Sequence, residues 1–264
     1  MKLAILFWFY KELDVCENRL QLLKKHNPDT TIFGLFGGEE KERDMYKERL
    51  AKYMDDFYAS PFDDPDWKWI NGDLMILDWF EKRGQQLTWD SIVVVQWDTL
   101  VFDALQSQFA GIKEGEIFLS GARILDREVE NQWDWTKSES KERKDYLNFI
   151  DYIKTQYDYT DDILCSLFIL QVFPRVFFEK YKTVKNKEVG MLEYKIPVYA
   201  KIFGIPFYKK DFGVWWFDTK TNRAETPLNA RRVEIKKEFI AKELTQGEGY
   251  RIFHPYYDVW SIEN

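Results

Sequence analysis

Four consecutive β-branched residues, Ile92-Val93-Val94-Val95, stand between Asp90-Ser91 and Gln96-Trp97-Asp98. Branching at Cβ stiffens a side chain and suits it to a pleated surface. An apolar run without polar alternation fits a strand covered on both faces, as inside a parallel sheet flanked by helices. In open sheets of that kind, ligands bind outside the carboxyl ends of the strands. Asp98 comes after the run, behind Gln96 and Trp97, so its carboxylate is delivered to that edge. The same residue would also serve as a turn former after a buried strand.

The upstream chain agrees with a parallel sheet. Leu3 to Tyr10 reads as a first strand, followed by a helix carrying Leu20, Leu22 and Leu23. That helix ends at Lys24-Lys25-His26-Asn27-Pro28, where cations suit the C-terminus and proline stops the helix. Thr30 to Phe36 reads as a second strand, closed by the Gly37-Gly38 turn. Strand, helix and strand with short links form a βαβ unit. Gly37-Gly38 lies in no GxGxxG or GxxxxGK context and is not a phosphate loop.

Further along, Glu39 to Met54 reads as a solvated helix face and Ser60 to Asp66 as a loop. Leu74, Ile76, Leu77 and Phe80 form a helical stripe, started by Asn71 or Asp73 and ended by Gly84. Ile117 to Gly121 is a short strand, and Lys141 to Tyr157 a helix with a charged outer face. Asp161 to Phe173 is expected to be a buried helix, capped by Thr160, Asp161 and Asp162. Glu193 to Phe203 is a helix that stops at Gly204. Phe212 to Phe217, with Trp215-Trp216, is a strand or an aromatic lip.

Composition narrows the function. The 264 residues carry a net charge of −7, which argues against general nucleic-acid binding. Aromatic residues reach 18%, more than a core needs, and flat rings on a surface suit sugars, bases or partners. Trp133-Asp134-Trp135 combines two indoles with a carboxylate in a polar segment. That is a sugar platform or, alternatively, a pair of core plugs. Cys16 and Cys165 make neither a disulfide framework nor a metal cluster. Leu3 to Tyr10 is cut short by Lys11, Glu12 and Asp14, too soon for a signal peptide or a membrane span. A cytoplasmic protein with no transmembrane segment is expected.

Strand, Gln96-Trp97-Asp98 and a late Phe253-His254-Pro255, in that order, resemble GT-A-fold glycosyltransferases that use nucleotide sugars. The first triplet stands where that family has its DxD motif, with glutamine in place of the first acid. The resemblance implies an α/β, GT-A-like (Rossmann-like) fold with a mixed, mainly parallel sheet flanked by helices. It implies a single domain over residues 1–264, with about 1–105 as the nucleotide-binding half and about 106–264 as the acceptor-binding half.

The activity implied is transfer of a sugar from a UDP- or GDP-linked donor to a glycan or other hydroxyl acceptor. Asp98 and His254 would hold Mn²⁺ or Mg²⁺. Phe9, Tyr10, Asp73, Gln96 and Trp97 would face the nucleotide, and Trp133, Asp134 and Trp135 the acceptor. Glu193, or Asp162, would be the base of an inverting reaction, and Arg231-Arg232 could meet the diphosphate. A nucleotidyltransferase would need a Gly-rich, basic loop after Phe9, which is absent. The alternative is a non-catalytic carbohydrate- or partner-binding protein that uses its aromatic surface.

Overall fold

The computed structural model describes residues 1–262. β1 (Leu3–Phe9), α1 (Leu13–His26) and β2 (Ile32–Phe36) make the expected βαβ unit, with Ile5 opposite Ile32 and Phe9 opposite Phe36. Every residue of β1 and β2 is buried, as a strand covered on both faces requires. α2 (Arg43–Leu50) carries the charged face, but the chain then adds a strand the sequence pattern did not reveal, β3 (Asp56–Ala59). It is only half-buried, because it lies at the sheet edge, and so lacks an apolar signature.

α3 (Pro65–Ile70) starts on Asp64, whose carboxylate accepts the N–H groups of Asp66 and Trp67. α4 (Gly72–Lys82) buries the whole stripe read from the sequence, Leu74, Ile76, Leu77 and Phe80. β4 (Ser91–Gln96) then enters beside β1, pairing Leu3 with Ser91 and Trp8 with Gln96. β5 (Leu100–Val101), α5 (Leu105–Gln108), β6 (Phe118–Leu119), β7 (Arg123–Ile124), α6 (Arg127–Gln132) and α7 (Arg143–Tyr157) follow.

The expected helix at Asp161 to Phe173 is instead β8 (Leu164–Cys165), a turn, and β9 (Leu170–Pro174). Short apolar runs do not separate a buried strand from a buried helix by periodicity. The deciding factor is tertiary. β9 fills the open side of β4, running antiparallel with Ile92 opposite Phe173 and Val95 opposite Leu170. α8 (Arg175–Tyr181), α9 (Leu192–Ile202), α10 (Lys237–Thr245) and β10 (Ile252–Phe253) complete the chain. Residues 212–217 form no strand, only an isolated bridge of Val214 to Leu228.

The sheet order is β3-β2-β1-β4-β9-β6, and β9 alone runs against its neighbours. This is the mixed, mainly parallel sheet expected of a GT-A-like fold. One large core lies on both faces of the sheet, and a smaller cluster around Leu100, Ile240 and Phe253 seats α10 and the C-terminal segment. Among the described residues no helix is long and apolar enough to cross a membrane.

Candidate active site at the carboxyl edge of the central strands

β1 and β4 are parallel neighbours, so they end on one edge. The chain leaves β4 with Trp97 N–H bonded to the Trp8 carbonyl (2.9 Å) and Thr99 N–H turned back to the Gln96 carbonyl (3.0 Å). That turn fixes Asp98. β5 follows at once and pairs antiparallel with β10, Leu100 opposite Phe253 and Val101 opposite Ile252. Continuing this register by one residue sets His254 opposite Thr99, beside Asp98. Two side chains 156 positions apart in sequence are thus joined by backbone pairing.

His254 Nε2 lies 3.3 Å from Asp98 Oδ1. Both residues are buried, at 7% and 8% exposure. Across the ring, His254 Nδ1 lies 2.8 Å from the Asn229 carbonyl and donates its hydrogen there. In a neutral imidazole this leaves Nε2 a bare lone pair facing the carboxylate. Two acceptors so close in a buried site need a positive charge between them. Burial opposes the imidazolium, but the Asp98 carboxylate and the Asn229 carbonyl outweigh it, and the pKa of His254 is raised.

The contact is close enough for an ion pair, yet Asp98 Oδ1 has no aligned hydrogen-bond donor among the described residues. An orphaned buried carboxylate oxygen beside an oriented imidazole fits a divalent cation. The hydrogen bond from Nδ1 to a carbonyl is the outer support that metal-bound histidines ordinarily have. No group of three or more His, Cys, Asp or Glu gathers around a common point among the described residues. A cation at this pair would need further ligands from outside these two side chains.

Around this pair the structure sorts the sequence-derived candidates. Tyr10 is half-buried and meets Trp97 edge-on at 5.9 Å, while Trp97 stacks on Tyr257 at 5.9 Å. Trp97 is itself buried and backs the other two rings rather than facing open space. Lys11 Nζ lies 4.8 Å from the centre of the Trp97 ring. Burial and Asp98 raise the pKa of the Tyr10 phenol, and the positive charge of Arg232 opposes them, so that arginine also points its field at this edge. Lys11 and Tyr257 were not among the candidates. Position directly after the first strand was the only signal for Lys11.

Phe9 is corrected. It is fully buried among Phe7, Phe36, Tyr46 and Phe57 and belongs to the core. Asp73 is also placed differently from the expectation of a nucleotide contact. Its carboxylate is held by Lys195 Nζ at 3.0 Å and by the Tyr181 hydroxyl, with both acid and amine buried. Lys195 also reaches the Lys187 carbonyl (2.9 Å) and Asn71 Oδ1 (3.4 Å). The cluster ties α4, α8 and α9 together. Its hydrophilic members gave no sequence sign of burial, because the partners are 122 positions apart.

Glu193, at the start of α9, is 7% exposed. Its Oε1 accepts the Phe168 N–H at 2.6 Å, and the Phe168 carbonyl in turn accepts the Gln96 amide at 2.5 Å. Gln96 therefore connects the end of β4 to Glu193 through a single residue, Phe168, whose N–H and carbonyl belong to successive peptide units. Burial pushes the Glu193 carboxyl up to about 7, against the opposing pull of the Phe168 N–H, the Trp135 indole N–H and Arg231. Asp162 sits on an exposed irregular stretch before β8, with no helix start to cap.

Trp133 is buried against Tyr194 and Trp216 and plugs the core. Asp134 is bound by Lys137 (2.6 Å) and Arg231 (2.7 Å), which lowers its pKa. Trp135 is half-buried and meets Trp69 at 4.9 Å between ring centres. Trp69, 65% exposed, was not a candidate.

No protein-family model matches the chain, and no curated protein matches it in sequence. Solved structures do. The galactosyltransferase LgtC in complex with donor and acceptor sugar analogues is 12% identical, covering 80% of this chain and 75% of that one, with a TM-score of 0.44. Mouse xyloside xylosyltransferase 1 in its apo form is 13% identical, covering 98% and 99%, with a TM-score of 0.43. A cytidylyltransferase from Leptospira borgpetersenii is 13% identical, covering 80% and 77%, also at 0.43. Scores of this size describe partial overlap of backbones and fix no activity.

Proposed function

We propose that this chain is a GT-A-type glycosyltransferase that moves a sugar from a UDP- or GDP-linked donor to an acceptor hydroxyl. Its cation would be Mn²⁺ or Mg²⁺, held by Asp98 and His254. The observation that carries the reading is the 3.3 Å approach of those two buried side chains at the carboxyl end of the central strand. Mixed oxygen and imidazole ligation suits Mn²⁺ better than Ca²⁺. When bound, the cation supplies Lewis-acid stabilisation of the departing diphosphate.

The chain's own residues would do the rest. Lys11 and Arg232 bring positive charge to the edge where the diphosphate would lie. Tyr10 and Tyr257, backed by Trp97, offer rings to the nucleotide. Gln96 spends its amide on the Phe168 carbonyl and so helps to fix the residue whose N–H holds Glu193. For an inverting transfer the acceptor proton goes to Glu193, whose pKa of about 7 suits a base working near neutrality. Exposed Asp162 has no comparable setting. A retaining transfer needs no base of that kind.

A thermal-shift screen of nucleoside diphosphates with and without Mn²⁺ tests the reading. One nucleotide should stabilise the protein only with metal, by about 2.7 kcal/mol at a hundredfold excess over Kd. Asp98→Ala and His254→Ala should each abolish the effect. Metal-independent stabilisation, or variants that respond like the parent, would overturn it. The exposed Trp69 favours a second reading, a carbohydrate-binding protein without catalysis, which predicts no nucleotide response at all.

A further inference from the structure

A cleft of about 900 Å³ runs between the α3–α4 side of the molecule and α7 with the 186–191 loop. That size lies within the range of about 300–1,000 Å³ typical of small-molecule sites. One wall carries Phe62 stacked on Trp67 with 4.2 Å between ring centres. Trp135 lines the same cleft and faces Glu193. Trp69 packs against Trp135 and stays 65% exposed. A large indole left in water beside a second indole is a surface awaiting a flat apolar face.

The cleft is also charged. Asp78, Glu81, Glu142, Asp145 and Glu188 line it, against the single cation Lys187. Asp78 already accepts the Tyr58 hydroxyl, and Glu142 is engaged by Ser140 and Lys141. The remaining field repels anions, which is a means of rejecting one class of ligand.

Resting on the transfer reading, we infer that this cleft is the acceptor site and that it takes a neutral glycan, excluding acidic ones. The Trp69–Trp135 pair is the platform for a sugar ring. Trp135, which interacts with Glu193, is the cleft residue that leads to the base of an inverting transfer. A sugar has apolar C–H faces for the rings and hydroxyls for the carboxylates. A basic peptide would meet the same carboxylates but brings no flat ring face for the Trp69–Trp135 pair.

The test is intrinsic tryptophan fluorescence of the full chain, titrated with cellotetraose, chitotetraose, trigalacturonate and tetralysine. Nucleoside diphosphate binding with Mn²⁺ is measured in parallel. At least one neutral oligosaccharide should bind and trigalacturonate should not. Trp69→Ala should weaken that binding about tenfold or more, and Trp69→Phe much less. Glu81→Gln with Asp145→Asn should admit trigalacturonate. Metal-dependent nucleotide binding should be unchanged in Trp69→Ala, which also shows that the variant folds. Binding of tetralysine alone, no binding of either neutral glycan, or a Trp69→Ala variant that binds like the parent would overturn the inference while leaving the donor site standing. Glycan binding that depends on Trp69, with no nucleotide binding, would instead overturn the transfer reading and with it the role as acceptor site.

Discussion

Replacing Glu193 by glutamine should change the pH dependence of stability in a defined direction. In the folded protein burial raises this carboxyl from its ordinary 4.5 to about 7. The folded state therefore holds the proton more tightly than the unfolded chain does. Stability from this group is complete below about pH 4.5 and is lost as pH rises through about 7. For the change from pH 5 to pH 8 the linkage relation gives a loss of about 2.5 kcal/mol in the parent. Glutamine has no such titration.

Glu193→Gln also carries a fixed cost. The carboxylate meets the Phe168 N–H and the Trp135 indole, and glutamine replaces one of its two acceptor oxygens by an NH2 donor beside those N–H groups. A misplaced donor costs about 1–3 kcal/mol at either pH. The diagnostic quantity is therefore the difference between variant and parent, measured by urea unfolding at both pH values. It should shift by about 2.5 kcal/mol in favour of the variant on going from pH 5 to pH 8. A difference that does not change with pH, or that shifts the other way, would refute the assignment of Glu193 as a buried acid poised near neutrality.

Other consequences are equally direct. Lys195→Met leaves the Asp73 carboxylate buried without its cation and should cost about 3–5 kcal/mol in urea unfolding, whereas adding Asp73→Leu should recover much of it. Asn18 accepts the Trp260 N–H (2.9 Å) and donates to its carbonyl (2.8 Å), so Asn18→Ala should speed proteolytic clipping of the C-terminal segment with little change in global unfolding. A methyl group at Gly249 would strike the Glu243 carbonyl oxygen, while one at Gly247 meets nothing within 4 Å. Thermal unfolding should show Gly249→Ala destabilised by about 1–3 kcal/mol and Gly247→Ala nearly unchanged.

The sheet was legible where burial writes itself into the sequence. β1 and β2 are apolar throughout, and β4 is so from Ile92 to Val95, because both faces are covered, and α4 and α9 ended near the predicted residues. β3 was missed because an edge strand needs no apolar run, and β9 was taken for a helix because its run had no period. At the site, the pairing of Asp98 with His254 could be anticipated only from their order along the chain. The β5–β10 register that joins them is a long-range contact, as is the burial of Asp73 by Lys195. Trp133 and Trp135 looked alike in sequence, yet one lies beneath Trp216 and the other beside an exposed indole. Neighbouring side chains on an irregular segment diverge, and only packing decides which reaches solvent.

The most direct measurement is electron paramagnetic resonance of Mn²⁺ titrated into the protein with and without UDP or GDP. One ion should become protein-bound per chain in the presence of the correct nucleotide, and the bound signal should vanish in Asp98→Asn and in His254→Gln. Binding of the ion that survives both substitutions, or no binding with either nucleotide, would contradict a cation shared by those two side chains.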